Sequence, residues 1–138
     1  MLEPTYLVEP TKPEDSLPVY GGDRPIAIIE DDRGVLESLR FMLEAAGYRV
    51  AAYEGAAAFT RDDKGQALGL ILDQHMPQKT GLELARDLRA RGDARPILLI
   101  TAAPSPSICA RARELGIERV LEKPLAEDEL FEFIENLR

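Results

Sequence analysis

The chain has 138 residues, 45% of them hydrophobic and 30% charged, which suits one compact domain with an ordinary core. Its formal net charge of −8 argues against nucleic-acid binding by this segment itself, because phosphate contacts need a basic face, although a DNA-binding domain elsewhere in a longer protein would be compatible. A single cysteine rules out an internal disulfide framework, no apolar stretch approaches the roughly 20 residues that cross a bilayer, and no basic region leads into an apolar one at the start, so no membrane segment or signal peptide is expected and a reducing cytoplasm is the expected location.

Met1 to about Arg24 is punctuated by Pro4, Pro10, Pro13 and Pro18, with acidic residues between them and Gly21-Gly22 before the first apolar run. This predicts an extended or disordered arm over residues 1–24, ahead of a domain over residues 25–138. Ile26 to Ile29 is a short, mostly β-branched run that predicts a buried strand and ends in Glu30-Asp31-Asp32. Val35, Leu36, Leu39, Met42 and Leu43 form one helical stripe, with Gly47 where a C-terminal cap belongs. Tyr48 to Tyr53 predicts a second strand, Ala56 to about Arg61 a short helix, and Leu68 to Leu72 a third strand ending in Asp73.

After the loop at His75-Met76-Pro77 and Gly81, residues Leu82, Leu84, Ala85 and Leu88 make the next helix. Pro96 to Ile100 predicts a fourth strand ending in Thr101, and Ala102 to Pro106 a proline-containing loop. Ile108 to Leu115 predicts a helix stopped by Gly116, on which Cys109 is expected to be a small buried apolar residue. Arg119 to Glu122 is a shorter fifth strand ending in Lys123-Pro124, and Leu130, Phe131, Phe133, Ile134 and Leu137 close the chain as an amphipathic helix.

Five strands alternating with five helices predict an α/β fold, a doubly wound parallel sheet with helices on both faces. Ligands of such folds sit at the carboxyl ends of the strands. Those ends carry Glu30 and Asp31, Asp73, Thr101 and Lys123, so the five are expected to meet in one crevice. Three carboxylates placed together repel, and a hard divalent cation such as Mg²⁺ relieves the repulsion while leaving coordination positions for phosphate oxygens. Lys123 can approach a phosphoryl oxygen as a point charge, Thr101 can donate a hydroxyl hydrogen bond, and a carboxylate can itself be a phosphoryl acceptor.

From about Pro25 to Arg138 the chain resembles the receiver domain of two-component response regulators, the superfamily of CheY-like domains. The resemblance rests on Ile28-Ile29-Glu30-Asp31-Asp32, on Leu70-Ile71-Leu72-Asp73 with Met76-Pro77 and Gly81, on Leu99-Ile100-Thr101-Ala102 and on Glu122-Lys123-Pro124-Leu125. Each segment is weak alone; in this order, each at a predicted strand end, they are specific. The resemblance implies a five-stranded, flavodoxin-like sheet of order 2-1-3-4-5. It makes Asp73 the phosphoacceptor, Glu30 and Asp31 the acidic pair that with Asp73 and the backbone carbonyl of His75 binds Mg²⁺, Thr101 the switch hydroxyl, and Lys123 the phosphoryl-binding cation before a proline bond that is often cis.

The implied partner is a histidine kinase or a histidine phosphotransfer protein, with the chain promoting its own phosphorylation and dephosphorylation rather than acting as a conventional enzyme. The face of the fourth helix, fifth strand and fifth helix is the implied output surface and candidate homodimer interface. No output domain is visible in the sequence. Two positions depart from the family pattern. Glu30 replaces the usual Asp at the first acidic position, and Val120 stands where an aromatic ring often swings inward during switching. His75, the only histidine, is expected to expose its ring while its backbone acts, with an effect on phosphoryl lifetime. Two other functions are weighed. A phosphohydrolase of the haloacid dehalogenase type would want a second Asp at position 75, and a degenerate receiver used as a scaffold would not keep all five residues chemically competent.

Overall fold

The computed structural model describes residues 24–137, so nearly all of the expected arm at 1–24 lies outside the described residues. Ten elements follow in chain order: β1 (Ile26–Ile29), α1 (Arg33–Ala45), β2 (Val50–Tyr53), α2 (Ala56–Asp62), β3 (Gly69–Asp73), α3 (Gly81–Ala90), β4 (Ile97–Thr101), α4 (Pro106–Glu114), β5 (Arg119–Glu122) and α5 (Glu127–Glu135). The strands form one parallel sheet in the order β2-β1-β3-β4-β5, as expected.

The three central strands are buried along their whole length, which is why they read as unbroken apolar runs. Their alternation splits the core in two. Ala27, Ile29, Leu70, Leu72 and Leu99 face Phe59, Leu82, Leu84, Leu88 and Ala112 of α2, α3 and α4. Ile26, Ile28, Ile71, Leu98 and Ile100 face Leu36, Leu39 and Leu43 of α1 and Leu130, Phe133 and Ile134 of α5. Truncating any of these leucines to alanine should cost about 2–5 kcal/mol.

Local chemistry sets the helix ends. The Asp32 carboxylate accepts the Val35 N–H at 3.1 Å and caps α1, so the third acidic residue of the run serves a helix start. Gly47, at φ 97°, turns the chain out of α1, and the Tyr48 N–H closes back on the Leu43 carbonyl at 3.0 Å. Tyr48 and Arg49 therefore belong to the connection, and β2 is shorter than expected. At α3, Thr80 and Glu83 form a reciprocal capping box. Ser105 caps α4 with Pro106 at the first helical position, so α4 begins two residues before the expected start. Cys109 is half-buried rather than buried, and Ala112 is the residue of α4 that is buried in the core. Arg24 is described, and its guanidinium donates to the carbonyls of Gln66 (3.0 Å) and Ala67 (3.4 Å).

Candidate functional site at the carboxyl edge of the sheet

Parallel register brings the predicted residues to one edge. Ile29 lies opposite Leu72, so Glu30 and Asp31 leave β1 beside Asp73, the last residue of β3. Asp73 lies opposite Ile100, and the Gln74 N–H donates to the Ile100 carbonyl at 2.9 Å, which sets Thr101 beside the same point. The Lys123 N–H in turn donates to the Thr101 carbonyl at 2.9 Å. The Lys123–Pro124 peptide is cis.

The side chains converge as the strand ends do. Lys123 Nζ lies 3.0 Å from Glu30 Oε1 and 3.1 Å from Asp73 Oδ1. The other Glu30 oxygen, Oε2, accepts the Asp32 N–H at 3.1 Å. Glu30 and Asp73 are almost wholly buried, at 1% and 2% exposure, whereas Asp31 is exposed. One oxygen from each of Glu30, Asp31 and Asp73 falls within 4.8 Å of the others, so the three could hold a metal ion. Asp73 Oδ1 is buried and in ion-pair range of Lys123, and no hydrogen bond of ordinary geometry completes its shell. A buried anionic oxygen left in this state is costly unless a cation or an electrophile meets it.

Burial pushes the Glu30 carboxyl up to about 7; Lys123 and the Asp32 N–H pull it down, and neighbouring Asp73 adds to the rise. Burial opposes the charge on Lys123, but the Glu30 and Asp73 carboxylates outweigh it and hold the ammonium above its ordinary range. At neutral pH the cluster thus keeps its cation firmly and one of its carboxylates loosely.

Two supporting residues carry little sequence signal. The buried Gln74 side chain accepts the Leu82 N–H at 2.9 Å and ties the loop after Asp73 to the start of α3. Gly81 packs so close that a Cβ there would lie 2.6 Å from the Asp73 carbonyl oxygen. Thr101 is fully buried, and its Oγ1 accepts the Ala103 N–H at 3.1 Å. His75 amends the expectation made for it. Its ring is exposed, as expected, but it is not idle, because Nε2 lies 2.9 Å from Thr101 Oγ1. Val120 is half-buried and packs against the core on the side of the sheet covered by α2, α3 and α4.

Residues 26–135 match the family described as response regulator receiver domain. Response regulator MprA of Mycobacterium avium is 41% identical over 106 residues, a span that covers 76% of this chain and 46% of MprA. The chain therefore spans about half the length of the curated relatives it matches. Among solved structures, response regulator StyR superposes with a TM-score of 0.75 at 34% identity, covering 82% of this chain and 58% of StyR. The non-phosphorylated HemR receiver domain of Leptospira biflexa gives 0.75 at 26% identity, covering 83% of this chain and 94% of HemR. The chain belongs to the response regulator receiver domain family, the receiver class of two-component systems. Among the described residues, no helix is long and apolar enough to cross a membrane.

Proposed function

We propose that Asp73 is the phosphoacceptor of a cytoplasmic two-component switch spanning residues 25–138, with residues 1–24 as a preceding arm. The observation that carries this reading is Asp73 Oδ1: buried, without a donor, and 3.1 Å from the Lys123 ammonium. The carboxylate oxygen attacks phosphorus of a phosphohistidine on a kinase or phosphotransfer protein. An O–P bond forms as the N–P bond breaks, and the leaving imidazole nitrogen keeps the electron pair. Lys123 offsets charge on the phosphoryl oxygens, and the Thr101 hydroxyl donates to one of them once transfer is complete.

Oxygen-only donors suit Mg²⁺, which the carboxylates of Glu30, Asp31 and Asp73 and the carbonyl of His75 would hold, and which when bound supplies positive charge to the transferring group. Asp31, exposed and nearest to solvent, is the direct carboxylate ligand of readiest access. Glu30, with one methylene more than Asp, reaches Lys123 and the Asp32 N–H at once. Movement of Thr101 then alters the α4-β5-α5 face, the output surface and the interface for a second copy. With Val120 in place of an aromatic ring, backbone movement between Thr101 and Lys123 transmits the change. Dephosphorylation uses the same residues, with water as the acceptor.

The test is intact-mass measurement after incubation with acetyl phosphate, with and without Mg²⁺, on wild type and Asp73→Ala. One added phosphoryl group that needs both Mg²⁺ and Asp73 is expected. No adduct, together with no capture of beryllofluoride, would instead make the chain a scaffold.

A further inference from the structure

The His75 ring has no part in the reaction just described, yet it makes the side-chain contact to Thr101 seen among the described residues. The two residues are 26 apart in sequence and come together because β3 and β4 are neighbours. Thr101 is fully buried, so its hydroxyl has the protein alone for partners. A hydroxyl has one proton and two lone pairs. The Ala103 N–H occupies one lone pair at 3.1 Å, and His75 Nε2 stands 2.9 Å from the same oxygen.

Both tautomers commit the hydroxyl. With the proton on Nδ1, Nε2 accepts the threonine proton, the very proton a phosphoryl oxygen would need. With the proton on Nε2, the ring donates into the remaining lone pair and pins the oxygen between two donors. In the first case the ring takes the hydroxyl proton, and in the second it holds the oxygen in place; in both, movement of Thr101 toward Asp73 breaks the bond to His75.

We propose that the His75 side chain is a latch on Thr101: a positioning residue that holds the switch hydroxyl in its unphosphorylated place and must release it before Thr101 can bond a phosphoryl group on Asp73. The inference rests on Asp73 being the phosphoacceptor. It assigns to the ring a role in the switching equilibrium that the exposed position of His75 would not suggest. Because the latched state competes with the phosphorylated one, removing the latch shifts population toward the latter without any contact between ring and ligand.

The test is a double-mutant cycle read by ¹⁹F NMR titration of beryllofluoride at saturating Mg²⁺ and fixed pH. Wild type, His75→Ala, Thr101→Val and the double variant are compared. A latch worth one ordinary hydrogen bond should make His75→Ala bind about 2- to 10-fold more tightly than wild type. In the Thr101→Val background, where there is no hydroxyl to hold, the same substitution should change nothing. His75→Asn, which keeps a side-chain donor and acceptor, should restore part of the wild-type value. The ¹⁵N resonance of Nε2 in the unliganded protein should move on Thr101→Val, a signature that a purely structural role would not give. Unchanged or weaker binding by His75→Ala overturns the latch, as does an equal effect in both backgrounds. If wild type itself captures no beryllofluoride, the phosphoacceptor reading has failed, and the latch falls with it.

Discussion

Lys123 and Glu30 form an ion pair, 3.0 Å between Nζ and Oε1, in which the cation is partly open to solvent and the carboxylate is not. Burial is the larger influence on Glu30 and carries its pKa to about 7 even with the ammonium in place. In the metal-free protein the folded state therefore holds a proton on Glu30 that the unfolded chain gives up near pH 4.5. The contribution to stability is fully present below that value and is lost as pH rises through about 7. Urea unfolding in EDTA should show wild type losing on the order of 1–3 kcal/mol relative to Glu30→Gln between pH 5 and pH 8. Mg²⁺ favours the charged carboxylate, so its stabilising effect on wild type should be larger at pH 8 than at pH 6. A wild-type curve parallel to that of Glu30→Gln would show that Glu30 does not titrate in this range.

The same ammonium occupies a position that a divalent cation would prefer to see neutral. Lys123→Met keeps the length of the side chain and removes the charge. Two opposite changes are expected when the substitution is made in the Glu30→Gln background, which removes the further rise of the Glu30 carboxyl that losing the ammonium would cause. Mg²⁺ should bind several-fold more tightly, because like-charge repulsion at about 4 Å is worth roughly a kcal/mol or more near a protein surface. Phosphorylation by acetyl phosphate should slow by about 100-fold or more, since the cation facing the phosphoryl oxygens is gone. Amide NMR titration and time-resolved intact mass would measure the two. A variant that lost both properties together would place Lys123 in the architecture of the site rather than in its electrostatics.

Gly81 is required by contact rather than by an unusual backbone angle. A Cβ there would meet the Asp73 carbonyl oxygen at 2.6 Å and a Leu99 methyl at 2.9 Å, and the carbonyl is held within the strand end. Gly81→Ala should cost about 1–3 kcal/mol and push Asp73 out of place. Thr80→Ala, one residue away, removes only the cap of α3 and should cost about 1 kcal/mol. If the contact matters through Asp73, the alanine at 81 should slow phosphorylation of the folded protein at least tenfold, and the alanine at 80 should leave it within twofold.

What the sequence made legible is what strand periodicity governs. Ile26 to Ile29, Leu70 to Leu72 and Ile97 to Ile100 are apolar on both faces, and a residue at the end of such a run has nowhere to go but the sheet edge. That logic delivered Glu30, Asp31, Asp73, Thr101 and Lys123 together. It fails where a side chain leaves the strand. The direction of the His75 ring is set in a loop, and its partner is a residue on the next strand of the sheet. Gln74, the residue after Asp73, stands outside every apolar pattern in the sequence, yet it is buried and its side-chain oxygen accepts the Leu82 N–H. Cys109 is half-buried rather than buried because Ala112, three residues on, is the residue of α4 that enters the core.

The opposite end of the sheet offers a separation of stability from chemistry. Arg95, just before β4, pairs with Asp63 Oδ2 at 2.8 Å and Asp93 Oδ2 at 2.7 Å, and its guanidinium lies 5.9 Å from the centre of the Phe59 ring. All three charged side chains are largely buried. The hydrogen bond from Arg95 holds Asp93 below its usual carboxylate range despite that burial. Arg95→Leu keeps the apolar stem but leaves two carboxylates without their cation, a loss of about 3–5 kcal/mol for a buried pair. Because the depressed Asp93 stabilises only while ionised, this cost should be present near neutrality and should shrink as pH falls through the Asp93 range. The carboxyl-edge residues are untouched, so the folded fraction should take up a phosphoryl group at the wild-type rate. A slower rate in the folded fraction would mean that the two ends of the sheet are energetically coupled and that the edge carrying Asp73 depends on how tightly the other is closed.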